Sequence, residues 1–181
     1  MGIGIVGTPS FDNVIIEMAL YLIGEVPMEP VCPLDHRYGR KEMKDSMSHA
    51  ARVTRCLEVE AALARAHAVN ENIPKKAANE ITRKASLEYV SFDRVNEIEA
   101  EIKHDIMAIV HAFSEVCDDE AGKYIHLGAT SYDVVDTALA LQMRDGLDIL
   151  NSDLKGIIEA LSTKARKYRD LVMVGRTHGQ Y

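Results

Sequence analysis

Leu147, Leu150, Leu154, Ile157, Leu161, Ala165 and Tyr168 recur at spacings of three and four, the rhythm of one apolar stripe on an α-helix. Upstream, Thr130 and Asp133 stand just before Val134 and Val135, in the Thr-x-x-Asp arrangement that caps a helix start. The spacing predicts one helix from this cap to Lys167, about 50 Å long at 1.5 Å of rise per residue. A compact small domain needs no rod of that length. Helices of this size pack against others as long, often in partner subunits. The chain is therefore expected to be mainly α-helical, with a bundle helix near its C-terminal end.

The remaining pattern agrees. Met43, Met47, Ala50, Val53, Leu57, Ala61, Ala64 and Ala68 predict an amphipathic helix over 41–70, ended by Asn72 and Pro74. A short helix is expected over 75–85. A longer one follows over about 92–116, where Val95, Ile98, Ile102, Ile106, Ile109 and Phe113 form one stripe and Ser91 is placed to cap it. Residues 122–128 read as a break. After the long helix come a short apolar run, 171–174, and a glycine-bounded turn over 175–180 that holds Arg176, Thr177 and His178. Residues 1–30 differ: Gly-rich, then apolar, then punctuated by Pro27 and Pro30. Gly2, Gly4 and Gly7 match GxGxxG, but only Met1 precedes them, and a dinucleotide loop needs a strand there. An atypical extension, a separate strand-turn element or a start codon placed too early explains the segment better.

Charge narrows the partners. With 28 acidic against 21 basic side chains and a net charge of -7, there is no global positive field to gather nucleic acid or an anionic membrane surface. The apolar stretch 14–23 contains Glu17 and falls short of the roughly 20 residues a bilayer requires, so no membrane span is expected, and the absence of a basic n-region argues against a secretory signal. Cys32, Cys56 and Cys117 are an odd, widely spaced set without a CxxC pair, which fits inert thiols in a reducing cytoplasm. Any anionic ligand must be met by local groups. Arg37, Arg40, Lys41, Lys123 and Arg176 stand in irregular stretches where such a site could be built, with solvated surface the plainer reading for Arg40 and Lys41.

Three stretches combine chemically capable residues with helix ends or turns: 33–40, 124–136 and 175–180. A fourth candidate, Lys103, His104 and Asp105, falls inside the expected helix over 92–116. There, neighbouring side chains diverge by about 100° and cannot pair as a dyad, and a buried structural histidine is the default. Thr130 and Ser131 are hydroxyls at a helix start, where free N–H groups and the positive end of the dipole favour a carboxylate or phosphate; simple capping is the alternative. His126, four residues earlier, could direct its imidazole to the same anion or bond to backbone. His178 stands beside Thr177 and Gly179 in a turn where backbone can approach a ligand closely, and an imidazole so placed suits acid or base work near neutral pH. No cluster has metal-ligand spacing, since His104 and His111 are two helical turns, roughly 10 Å, apart. No metal is expected.

These same stretches carry a resemblance. Pro33-Leu34-Asp35-His36-Arg37-Tyr38-Gly39, Lys103-His104-Asp105-Ile106-Met107-Ala108, the run from His126 to Thr137 and Gly175-Arg176-Thr177-His178-Gly179-Gln180 resemble, in this order, the PLDxRYG, KHDVMA, HxGxTSxDVVDT and GRTHGQ segments of adenylosuccinate lyases. GRTHGQ and TSxD belong to the wider fumarase/aspartase superfamily, whereas PLDxRYG and KHD point to this member above argininosuccinate lyases or fumarases. Where the family usually follows GRTHGQ with a histidine, this chain has Tyr181.

The resemblance implies a carbon–nitrogen lyase of purine biosynthesis. It would release fumarate from adenylosuccinate, giving AMP, and from the succinylated carboxamide precursor SAICAR, giving AICAR. It casts His178 as the general acid, Thr177, Thr130 and Ser131 as substrate-binding residues, Arg37 and Tyr38 as nucleotide and phosphate contacts, and His104, Asp105 and His126 as substrate-positioning residues. No metal or organic cofactor is implied. It further implies an atypical extension over 1–30, a helical N-terminal domain over 31–129, the start of a central bundle over 130–181, a cytoplasmic homotetramer, and a serine base on a loop beyond residue 181. On that reading these residues alone are inactive, and the competing expectation is a truncated or split-gene piece that only oligomerises.

Overall fold

A computed structural model describes residues 38–118 and 120–180. The readings of residues 1–30, Cys32 and Arg37 lie outside the described residues. Residues 40–180 belong to one compact unit. Among the described residues its regular structure is six α-helices, one 3-10 turn and an isolated bridge between Thr177 and Gln180. The mainly helical expectation holds.

The helix expected over 41–70 is two helices, α1 (Lys41–Ser46) and α2 (His49–Val69). Ser48 separates them. Its hydroxyl accepts the Ala51 N–H at 3.1 Å and donates to the Asp45 carbonyl at 2.8 Å, so it caps α2 where a continuous helix would have bonded backbone to backbone. From there α2 buries Val53, Cys56, Leu57, Glu60, Ala61, Ala64 and Ala68. Glu71, at φ 59, reverses the chain, and Pro74 opens α3 (Lys75–Lys84), whose Ala77, Ala78 and Ile81 pack back on α2.

The helix expected over 92–116 is also broken. α4 (Phe92–Ile102) ends at Lys103, which is left-handed at φ 56, and α5 (Asp105–Glu115) begins again after His104. Ser91 caps α4 as expected, accepting the Arg94 N–H at 3.4 Å. The stripe read as continuous survives because α4 and α5 fold against one another and point Val95, Ile98, Ile106, Ile109 and Phe113 into the same core. The break read over 122–128 overlaps a 3-10 turn, Ala121–Tyr124.

The long helix α6 (Ser131–Lys167) has 37 residues, so it is about 55 Å long. Only Val134, Ala138, Gln142 and Gly146 are buried, all in its first half, against α2 and α1. Gln142 donates to the Ser46 carbonyl at 2.9 Å, which satisfies the last turn of α1. Arg55 of α2 bonds Asp145 of α6, and Arg40 bonds Asp153. Beyond Gly146 the stripe that predicted this helix, Leu147, Leu150, Leu154, Ile157 and Leu161, is exposed. Among the described residues no helix is long and apolar enough to cross a membrane.

Candidate functional site

The break after α4 builds the site. Because Lys103 turns the chain left-handed, α5 starts afresh, and its N-terminus opens onto the same cleft as the N-terminus of α6. Arg52, Lys103, His104, Asp105, Thr130 and Ser131 line this open cleft of about 750 Å³. Two sets of helix-start N–H groups and two positive dipole ends thus flank one space, a disposition suited to an anion.

His104 is not the buried helical histidine the sequence suggested. It is the N-cap of α5, its side chain is 47% exposed, and its Nδ1 accepts the Met107 N–H at 3.3 Å. An accepting Nδ1 leaves the ring proton on Nε2. Asp105, at the first position of α5, receives the Arg52 guanidinium at 2.6 Å. This bond, with the N–H of Ile106 and the charges of Arg52 and His104 acting the same way, holds its carboxyl below the ordinary carboxylate value despite partial burial. His104 Nδ1 and Asp105 Oδ1 are 3.9 Å apart, too far for a hydrogen bond. At the α6 start, Asp133 accepts the Thr130 N–H at 2.9 Å, so the Thr-x-x-Asp cap is formed and Ser131 stands at the first helical position, half-buried.

His126 does not line this cleft. It lies in the segment leading to α6, at φ 62, and bonds neither the cleft nor a carbonyl: its Nδ1 is 2.6 Å from Glu60 Oε1 and its backbone N–H donates to Glu60 Oε2 at 2.9 Å. One residue on, the Leu127 carbonyl accepts from His67 Nε2 at 2.7 Å, and Asn72 donates to His67 Nδ1 at 3.0 Å. Two residues of α2 therefore fix the backbone that aims α6.

Thr177 and His178 stand apart from the cleft. Thr177 and Gln180 exchange both backbone hydrogen bonds at 2.8 Å, and His178 and Gly179 lie between them at φ 48 and φ 75. Positive φ at both central residues is the signature of a type I′ turn. All four residues are exposed. The turn follows the far end of α6, so within one chain roughly 50 Å of helix separates His178 from Ser131. Tyr38 is exposed and lies outside the compact unit that begins at Arg40. Arg37 is not among the described residues.

Of the other cations singled out in the sequence, Arg40 pairs with Glu42 and Asp153, Lys41 with Asp45 at 2.5 Å, and Lys123 with Glu120 at 2.5 Å. Burial pushes the thiols of Cys56 and Cys117 up to about 11, so neither is a thiolate near neutrality. Among the described residues no group of three or more His, Cys, Asp or Glu is disposed to hold a metal ion. Sequence reasoning missed Arg52 and Glu60. Arg52 gave no signal, because its partner Asp105 is 53 positions away. Glu60 gave one: an acid on the α2 face that otherwise buries Leu57, Ala61 and Ala64.

Among the described residues, a helical body with a cleft between two helix starts and one helix that runs far past its buried contacts defines a protein of the mainly α-helical class. A family model described as "Lyase" matches residues 35–181, and the chain belongs to that family. It is 51% identical over 151 residues to an adenylosuccinate lyase of Pyrococcus abyssi, covering 83% of this chain and 33% of that protein. An adenylosuccinate lyase of Pyrococcus horikoshii is 50% identical with the same coverage. A crystal structure of a fumarate lyase from Mesorhizobium sp. BNC1 superposes with a TM-score of 0.71 at 38% identity, covering 80% of this chain and 35% of that one. The chain thus spans about a third of the length of the curated relatives it matches.

Proposed function

We propose that this chain supplies the N-terminal third of an adenylosuccinate lyase, releasing fumarate from adenylosuccinate and from SAICAR. The observation that carries this reading is the convergence of the α5 and α6 N-termini on one cleft with His104, Thr130 and Ser131 at its edge. β-Elimination removes a proton from the carbon beside a carboxylate. The C–H electron pair becomes the C=C bond of fumarate, and the C–N pair leaves with nitrogen, which takes up a proton. Charge builds on the succinyl carboxylate as the C–H bond breaks, and preorganised donors placed where it builds lower the barrier. Thr130 and Ser131, with the helix-start N–H groups, are the donors in this scheme, and His104, Asp105 and His126 position the substrate. His178 is the general acid for the departing nitrogen, Thr177 binds substrate, and Arg37 and Tyr38 meet the nucleotide and its phosphate.

Since His178 and Ser131 are separated by the length of α6, one active site would draw them from different subunits. The exposed stripe of α6 is the face such a homo-oligomer would use. The same reading divides the chain into a domain over 31–129 and the start of the bundle over 130–181, and places the enzyme in the cytoplasm. That exposed stripe equally favours a second reading, a non-catalytic oligomerisation piece.

One experiment separates the two. The chain is grafted in place of the matching third of the Pyrococcus abyssi relative, and fumarate release from adenylosuccinate is followed spectroscopically. Turnover is expected from the graft and none from the 181-residue chain alone. The His178→Ala and Ser131→Ala grafts should each be nearly inactive, and mixing them after dissociation should restore part of the activity. A correctly folded graft without turnover would sink the lyase reading in favour of the oligomerisation piece.

A further inference from the structure

Glu60 is 1% exposed in the middle of α2, among alanines and Leu57, and the scheme above gives it no task. A buried carboxylate is costly unless its oxygens are hydrogen-bonded. Both are occupied here, and by the same residue: Oε2 by the His126 backbone N–H at 2.9 Å and Oε1 by His126 Nδ1 at 2.6 Å. The His126 side chain is itself only 13% exposed, so water has little access to the pair.

The backbone N–H can only donate, and it claims Oε2. An ionised Oε1 can only accept, so Nδ1 must carry the ring proton. We propose that Glu60 is a positioning residue for His126: its carboxylate keeps the imidazole proton on Nδ1 and leaves Nε2 as the acceptor atom of the ring. In the neutral ring Nε2 is then an acceptor, matched to an N–H or O–H of the substrate rather than to its carboxylates. The two histidines singled out near the α5 and α6 starts would then have opposite faces. His104 accepts at Nδ1 and offers an N–H at Nε2, whereas His126 donates at Nδ1 and offers a lone pair at Nε2.

The bond also bears on conformation. His126 is non-glycine at φ 62, a left-handed conformation that costs a residue with a Cβ, and the two-point grip of Glu60 opposes release of that strain. The inference rests on the lyase reading only for what meets Nε2. The tautomer is a property of the chain and can be measured without turnover, so either conclusion can fail while the other stands.

The test uses the 181-residue chain labelled with 15N-histidine, the His126 signals being identified by their loss in His126→Asn. Spectra are recorded at about pH 9, well above the ordinary histidine value of about 6.5. A protonated, pyrrole-type Nδ1 and a bare, pyridine-type Nε2 are expected for His126. A bare Nδ1 would overturn the proposal, because it would mean that Glu60 is the protonated partner. In Glu60→Gln the amide oxygen must still face the His126 N–H, which turns the amide NH₂ toward Nδ1. The two nitrogen shifts should therefore interchange as the proton moves to Nε2. A folded Glu60→Gln chain that keeps its proton on Nδ1 would show that Glu60 does not set the tautomer. Should circular dichroism show that this variant does not fold, the wild-type spectrum decides by itself.

Discussion

A methyl group placed on Gly122 would lie 2.7 Å from the Ser114 backbone oxygen and 3.0 Å from its Cα. Neither atom can swing aside as a side-chain tip could, and Ser114 also bonds the Gly122 carbonyl at 3.1 Å, tying α5 to the 3-10 turn. Gly122→Ala is therefore expected to destabilise the chain by about 1–3 kcal/mol, the usual cost of overpacking, read as a lower urea midpoint. Asp105 makes a prediction about pH. Its carboxyl is held below its ordinary value of 3.8, first by the hydrogen bond from Arg52. A depressed carboxylate contributes stability that is fully present above its unfolded value and disappears as pH falls through the folded one. With the two side chains 31% and 44% exposed, solvent screening limits the contribution to roughly 0.5–1 kcal/mol. Arg52→Met should accordingly lower the urea midpoint at pH 7 and lower it less at about pH 2, below the ordinary Asp value, as the Asp105 carboxylate is titrated away. An equal loss at both pH values would place the effect in packing instead of charge.

At the level of the helices, the left-handed Lys103 between α4 and α5 is the decisive break, and a lysine is a poor occupant of that conformation. Lys103→Gly removes the Cβ clash and should stabilise the chain by about 1 kcal/mol, measurable as a raised thermal midpoint. Lys103→Pro at φ 56 should unfold this corner, since proline is fixed near -65°. The same residue shows why periodicity could not locate the cleft. Val95, Ile98, Ile102, Ile106, Ile109 and Phe113 keep helical spacing straight through the break, because two successive helices that face one core can repeat the rhythm that one helix would have. The Ser48 interruption was hidden in the same way, the apolar spacing passing from Met47 to Ala50 without a fault. By contrast the α6 start was legible from Thr130 and Asp133, and its end at Lys167 from spacing alone, because a cap and a stripe are local properties. Of the cleft lining, Thr130 and Ser131 could be picked out by type and position, whereas His104 read by position as a buried helical residue because the break at Lys103 was hidden. Arg52 could not, since its meaning depends on a partner that only the folded chain brings near. Nor could the orientation of His126, which is set by a carboxylate 66 residues earlier.

For the molecule as a whole, the unresolved demand is the second half of α6. Its first half is anchored by Val134, Ala138 and Gln142 and by the ion pair from Arg55 to Asp145. Past Gly146, Leu147, Leu150, Leu154, Ile157, Ile158 and Leu161 are each 50–62% exposed. Water-exposed leucines and isoleucines in one continuous stripe, each worth up to about 1.5–3 kcal/mol when fully buried, constitute the kind of patch that marks an interaction surface. The chain should therefore self-associate, with light scattering giving a mass above that of the 20.1 kDa monomer. Leu154→Glu combined with Leu161→Glu should return it to a monomer. Because neither side chain touches the buried core, the urea midpoint measured at concentrations too low for association should stay within about 0.5 kcal/mol of wild type. That pairing of results is what assigns the stripe to association. If the double variant unfolded along with dissociating, the exposed half of α6 would instead be part of what holds the helical body together. A wild-type chain that stayed monomeric would mean that the stripe needs a different polypeptide to cover it.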